Sequence, residues 1–109
     1  MPKLTEAEIK KSLKSIPEWS RVGEEIQRTY KFKDFVESMK FVGRVADQAE
    51  KDQHHPDILI RWNLVTLTLT THDAGGLSEK DFGLAKKADQ FAAAERPPEP
   101  QPKSVPRTK

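Results

Sequence analysis

Residues 64–72 read LVTLTLTTH, in which residues 65–70 alternate strictly between apolar and polar. Val65, Leu67 and Leu69 fall on one side of an extended chain, and Thr66, Thr68, Thr70 and His72 on the other, because successive side chains of a strand point to opposite faces. A strand of this kind has one apolar face to bury and one polar face to leave open, the pattern of an antiparallel sheet covered on one side. Just upstream, Ile58 and Ile60 alternate with Asp57 and Leu59, and Trp62-Asn63 offers a turn. Residues 57–72 therefore predict a β-hairpin.

The remaining elements follow from similar local grammar. Residues 19–32 predict a second hairpin around Gly23-Glu24, with Ile26, Arg28, Tyr30 and Phe32 on alternate positions. Thr5 and Glu8 form a capping box for a first helix, Leu4 can staple onto Ile9, and the stripe Ile9, Leu13, Ile16 runs to Pro17, which ends it. Asp34 and Glu37 offer a second box, and Phe35, Met39, Val42, Ala46 and Ala49 predict the buried face of a helix reaching about residue 52. After Gly75-Gly76, Ser78 caps a third helix with Asp81 at its third position and Leu77 against Phe82; Leu84, Ala88 and Phe91 carry it to about Glu95. The order αββαββα, with strands in pairs rather than βαβ units, predicts an α+β fold in which helices cover one face of an antiparallel sheet.

Composition bounds the function classes. The 109 residues fit one domain, 1–96, followed by a tail, 97–109, that holds Pro97, Pro98, Pro100, Pro102 and Pro106 and reads as disordered. Hydrophobic residues make up 35%, enough for a small core, so self-association is expected. Lys103, Arg107 and Lys109 against Glu99 account for the whole formal charge of +2, so the domain itself is neutral. That argues against direct nucleic-acid binding through phosphates. The chain has no cysteine, which excludes disulfides and thiolate chemistry. No apolar run is long enough for a membrane span and no secretory leader is evident, so a soluble, cytoplasmic protein is expected.

All three histidines, His54, His55 and His72, fall within one stretch. If the second hairpin turns at 62–63, antiparallel partners sum to about 125–126, which places His54 and His72 at the same end. Glu50 lies one helical turn before His54, and the glycine-rich loop can bring Asp81 to the same end. Imidazoles titrate near neutral pH, so the constellation points to acid–base chemistry. Each residue also has a plainer reading: the histidines as polar junction residues, Asp81 as a helix cap, Glu50 as a solvated carboxylate, Trp19 and Trp62 as packing or interface residues. A metal site is disfavoured, because adjacent histidines on an extended backbone point apart and no helical ligand spacing such as HExxH occurs.

Glu50, then His54-His55-Pro56, Trp62, His72 and Asp81, with the run Thr71-His72-Asp73-Ala74-Gly75-Gly76-Leu77-Ser78-Glu79-Lys80-Asp81, resemble the signature of the pterin-4a-carbinolamine dehydratases across about residues 3–95. The resemblance implies a four-stranded antiparallel sheet and a lyase that removes water from 4a-hydroxytetrahydropterin to give quinonoid dihydropterin, in tetrahydrobiopterin recycling. It implies no metal or organic cofactor, since the ring nitrogen itself expels the hydroxyl. His54 and His72 become the principal acid–base candidates, with His55 as a third imidazole. Asp81 would orient a histidine and Glu50 would support His54. Main-chain groups near Thr70 and Thr71 would hold the pterin ring.

The resemblance also implies a homodimer or homotetramer. It leaves three alternatives: a dimerisation partner of a homeodomain transcription factor, the same chemistry on another reduced pterin, or a scaffold with a vestigial site.

Overall fold

A computed structural model describes residues 2–95; the tail expected at 97–109 lies outside them. The elements are α1 (Glu6–Leu13), β1 (Ser20–Val22), β2 (Glu25–Lys31), α2 (Phe35–Asp52), β3 (Asp57–Arg61), β4 (Leu64–Leu69), a short 3-10 turn (His72–Ala74) and α3 (Glu79–Glu95). The strands form one sheet in the order β1-β2-β4-β3, every neighbouring pair antiparallel. The αββαββα order and the α+β class are those the sequence predicts.

The β3–β4 hairpin has the expected register. Asp57 lies opposite Thr68 and Arg61 opposite Leu64, with Trp62-Asn63 as the two-residue turn. The alternation of β4 resolves as predicted: Val65, Leu67 and Leu69 are buried with Ile26 and Tyr30 of β2 in one core, under Ile9, Phe41, Val45, Leu84 and Ala88 of the helices. The threonine face stays outside the core. There Thr29 and Thr66 share a hydroxyl hydrogen bond of 2.7 Å, and Gln27 donates to the Thr68 hydroxyl at 3.1 Å.

Three expectations are corrected. First, α1 ends at Leu13 rather than at Pro17. The N–H groups of Lys14, Ser15 and Ile16 each bond three residues back, to Lys11, Ser12 and Leu13. Proline disfavours the α conformation in the residue before it, and these tighter turns let Ile16 enter the core. Second, α2 buries Ser38, Phe41, Val45 and Ala49. Of the predicted stripe only Ala49 is buried; Val42 is half-buried, Ala46 is exposed, and Phe35 and Met39 are 48% and 40% exposed. Third, β4 stops at Leu69, and His72 opens a 3-10 turn instead of ending a strand. The cause is a bridge between Thr71 and Gly76, whose N–H groups bond each other's carbonyls at 3.1 and 3.3 Å and fold the chain back.

One carboxylate fastens α3 to the sheet. Asp89 Oδ1 accepts from Trp19 Nε1 at 3.0 Å, Arg28 Nη1 at 2.9 Å and Tyr30 Oη at 2.6 Å. The Arg28 guanidinium also lies 4.4 Å from the centre of the Tyr30 ring. Burial, and then the Asp89 charge, push the Tyr30 phenol well above its ordinary range. Two residues earlier on α3, Lys87 pairs with Asp52 of α2 at 3.3 Å.

Candidate active site

The end of α2 sets the first two imidazoles. Gln53 takes a left-handed conformation (φ 51°), and the His54 N–H bonds back to the Ala49 carbonyl at 3.0 Å, closing the helix as a Schellman-type turn. The reversal carries His54 inward, where it is 7% exposed, while His55 stays exposed.

The start of α3 supplies the partner. Asp81, at the third position of the helix, has no exposed surface. Its Oδ2 accepts from the Ser78 N–H at 2.9 Å and from the Thr71 hydroxyl at 2.8 Å. Its Oδ1 lies 2.5 Å from His54 Nε2. The Thr71 and Ser78 hydroxyls lie 2.7 Å apart, and Ser78 Oγ accepts from the Lys80 N–H at 3.3 Å. One carboxylate thus caps α3 and anchors an imidazole from α2.

His72 arrives from the folded-back loop. The Thr71 carbonyl accepts from Ala74 and Gly76, and Gly75 turns the chain at φ 76°, a conformation glycine adopts without strain. Thr70 ties this loop to the β1–β2 turn through its hydroxyl, which donates to the Glu24 carbonyl at 2.7 Å. A cleft of about 310 Å³ results, lined by Gln53, His54, His55, Thr70, Thr71, His72, Asp73 and Lys80.

The three histidines therefore meet at one cleft, with Asp81 buried behind His54. Glu50 does not support His54, contrary to expectation: its Oε2 lies 2.6 Å from Nε2 of His55, with both side chains well exposed. The left-handed turn at Gln53 breaks the helical geometry on which the four-residue spacing relied. Thr70 and Thr71 both line the cleft, and the Thr71 N–H and carbonyl are engaged within the loop. Gln53, Asp73 and Lys80 line the cleft without having been singled out. Their signal was adjacency to His54, His72 and Asp81. Ser78 was legible only as the cap of α3 and Thr71 only through its main chain; the meeting of their hydroxyls depends on the loop.

Among the described residues no group of three His, Asp or Glu side chains is placed to hold a metal ion, and no helix is long and apolar enough to cross a membrane. Chemically, the site offers imidazoles able to give and take protons beside a cleft of small-molecule size. Asp52, close enough to His54 to interact electrostatically, adds a nearby negative charge. Burial pushes its carboxyl up, but hydrogen bonds from Gln48 and Lys87 and the Lys87 charge outweigh this and hold it below its ordinary value.

Comparison with known proteins bears on the family of the whole chain. The family model described as pterin 4 alpha carbinolamine dehydratase matches residues 2–91. A Picosynechococcus sp. protein provisionally named as a pterin-4-alpha-carbinolamine dehydratase is 53% identical over 89 residues, which are 82% of this chain and 97% of that protein. A Thermomicrobium roseum protein with the same provisional name is 52% identical over 93 residues, 85% of this chain and all of that protein. Among solved structures, a transcriptional coactivator/pterin dehydratase from Brucella melitensis superposes with a TM-score of 0.80 at 38% identity, covering 83% of this chain and 98% of that one. A pterin dehydratase-like protein identified as a RuBisCO assembly factor shares the fold at 21% identity, with a TM-score of 0.60 over 68% of this chain and 88% of that one. On the family match and the identity and coverage of these relatives, the chain belongs to the pterin 4-alpha-carbinolamine dehydratase family.

Proposed function

We propose that the protein removes water from a 4a-hydroxytetrahydropterin, giving the quinonoid dihydropterin, by histidine general acid–base catalysis. The observation that supports this best is the convergence of His54, His55 and His72 on one cleft, with His54 backed by the buried Asp81. One imidazole protonates the 4a-hydroxyl as the carbon–oxygen bond breaks and water leaves. A second accepts a proton from a ring nitrogen as the carbon–nitrogen double bond forms. The two transfers balance, and each contributes roughly 10²–10⁴-fold in rate. His54 and His72 are the acid–base pair. His55, held by Glu50, is the third imidazole at the rim, and Thr70 is the main-chain contact for the pterin ring.

The test is the dehydration rate of synthetic 4a-hydroxytetrahydropterin, followed by ultraviolet absorbance. Wild type accelerates it, and a folded His54→Ala/His72→Ala double variant does not. No acceleration by folded wild type would overturn the reading for this substrate.

The exposed apolar side chains support a second element, self-association as a homodimer or homotetramer. Phe35, Val36 and Met39 of α2 are 48%, 60% and 40% exposed, and Leu59 on edge strand β3 is 55% exposed. Light scattering on the purified chain reads the state directly, and a mass of one chain at all concentrations refutes it.

A further inference from the structure

We infer that Thr71 and Ser78 are positioning residues for His54. A one-way chain of hydrogen bonds runs from the first turn of α3 through both hydroxyls into Asp81. It holds the neutral imidazole as its Nε2–H tautomer and presents Nδ1 to the cleft.

The direction follows from counting hydrogens. A hydroxyl has one hydrogen to give, and an ionised carboxylate only accepts. Thr71 Oγ1 lies 2.8 Å from Asp81 Oδ2, so its hydrogen points there. The 2.7 Å contact between the Thr71 and Ser78 hydroxyls must then use the hydrogen of Ser78. Ser78 Oγ in turn accepts from the Lys80 N–H. Every donor in the series points toward Asp81, and the Ser78 N–H adds another at 2.9 Å. The remaining oxygen, Oδ1, faces His54 Nε2 at 2.5 Å as an acceptor, which puts the imidazole hydrogen on Nε2.

A neutral imidazole protonated at Nε2 has its lone pair at Nδ1. No buried side-chain nitrogen or oxygen among the described residues lacks a partner, and His54 lines the cleft, so Nδ1 is the nitrogen that reaches the cleft. Helix capping alone does not account for the arrangement. A capping box needs Ser78 and Asp81, whereas Thr71 lies outside the helix and still places its hydroxyl between them, 6% exposed. Reversing the series in so buried a site would leave hydrogens without acceptors.

What Nδ1 does in catalysis rests on the proposed dehydratase reading, whereas the tautomer does not. The experiment is a long-range proton–nitrogen NMR correlation on the full chain carrying ¹⁵N-labelled histidine, at a pH where His54 is neutral. Wild type shows Nε2–H for His54. Thr71→Val, nearly the same shape without the hydroxyl, shows a mixture of tautomers and a kcat lower by about tenfold at nearly unchanged KM. Thr71→Ser restores both, and Ser78→Ala shifts the tautomer in the same direction as Thr71→Val. A wild-type spectrum with Nδ1–H overturns the inference, as does a folded Thr71→Val with an unchanged tautomer. If Thr71→Val does not fold, the wild-type spectrum and Ser78→Ala decide. Nε2–H in a protein without dehydratase activity would overturn the functional reading and uphold this one.

Discussion

His54 Nε2 lies 2.5 Å from Oδ1 of Asp81, so the residue that follows the left-handed turn at the end of α2 is joined to the third residue of α3 through a carboxylate with no exposed surface. Removing that carboxylate leaves three donors without an acceptor: the imidazole, the Thr71 hydroxyl and the Ser78 N–H. Asp81→Ala should lower unfolding free energy by about 3 kcal/mol or more, read by urea denaturation. Asp81→Asn keeps the shape but turns an NH₂ donor toward a group that itself donates. Its dehydration kcat should fall by roughly 10–100-fold while the fold survives.

Glu50 should behave differently, because its pair with His55 is exposed on both sides. Glu50→Gln should change stability by less than about 0.5 kcal/mol and activity by a few-fold at most. A loss as large as that of Asp81→Asn would show that His55, and not His54, is the principal imidazole. Spacing set Glu50 one helical turn from His54 and the family resemblance made it the support of that imidazole, but a single left-handed residue at Gln53 pairs it with His55 instead. A helical four-residue rule holds only while the helix does.

Trp62 sits at φ 54° in the β3–β4 turn with 64% of its surface exposed. A bulky residue in the left-handed region carries a strain of about 1–2 kcal/mol, and hairpin turns of this length favour glycine or asparagine there. Trp62→Gly exchanges that strain for glycine's extra chain entropy of about 0.5–1 kcal/mol. The net expectation is a gain of up to ~1 kcal/mol in thermal unfolding at low protein concentration. A lower, concentration-dependent midpoint would instead mean that the indole packs against another copy of the chain.

The Asp89 clasp predicts an alkaline limb in stability. Because the Tyr30 phenol is raised in the folded state, its contribution is complete below the ordinary tyrosine value of 10.0 and is lost as pH rises above it, when the unfolded phenol ionises first. Tyr30→Phe should cost about 2 kcal/mol at neutral pH through the lost bond to Asp89 and should flatten that limb. Urea unfolding of both proteins at neutral pH and above pH 10 checks the sign.

By itself the sequence determined whatever depends on neighbours along the chain. Thr5 with Glu8 builds the first capping box, and Asp34 receives the Glu37 N–H at 2.9 Å. Ser78 and Asp81 open α3, and the alternation of residues 64–69 sets both the buried face of β4 and the hairpin register. These features rest on bonds a few residues long and on a two-residue period, and both are visible in a one-dimensional string.

Tertiary structure decided the rest. Along α2 the sets Phe35-Met39-Val42-Ala46-Ala49 and Ser38-Phe41-Val45-Ala49 fit a helical period equally well, and packing against the sheet and α3 buried the second. The Thr71–Gly76 bridge ended β4 early and brought a threonine hydroxyl between Ser78 and Asp81. Which carboxylate each imidazole received, and hence which ring nitrogen faces the cleft, depended on where two helix ends meet in space. No spacing along the chain encodes that meeting, because it is made by the buried faces that hold α2 and α3 on the same sheet.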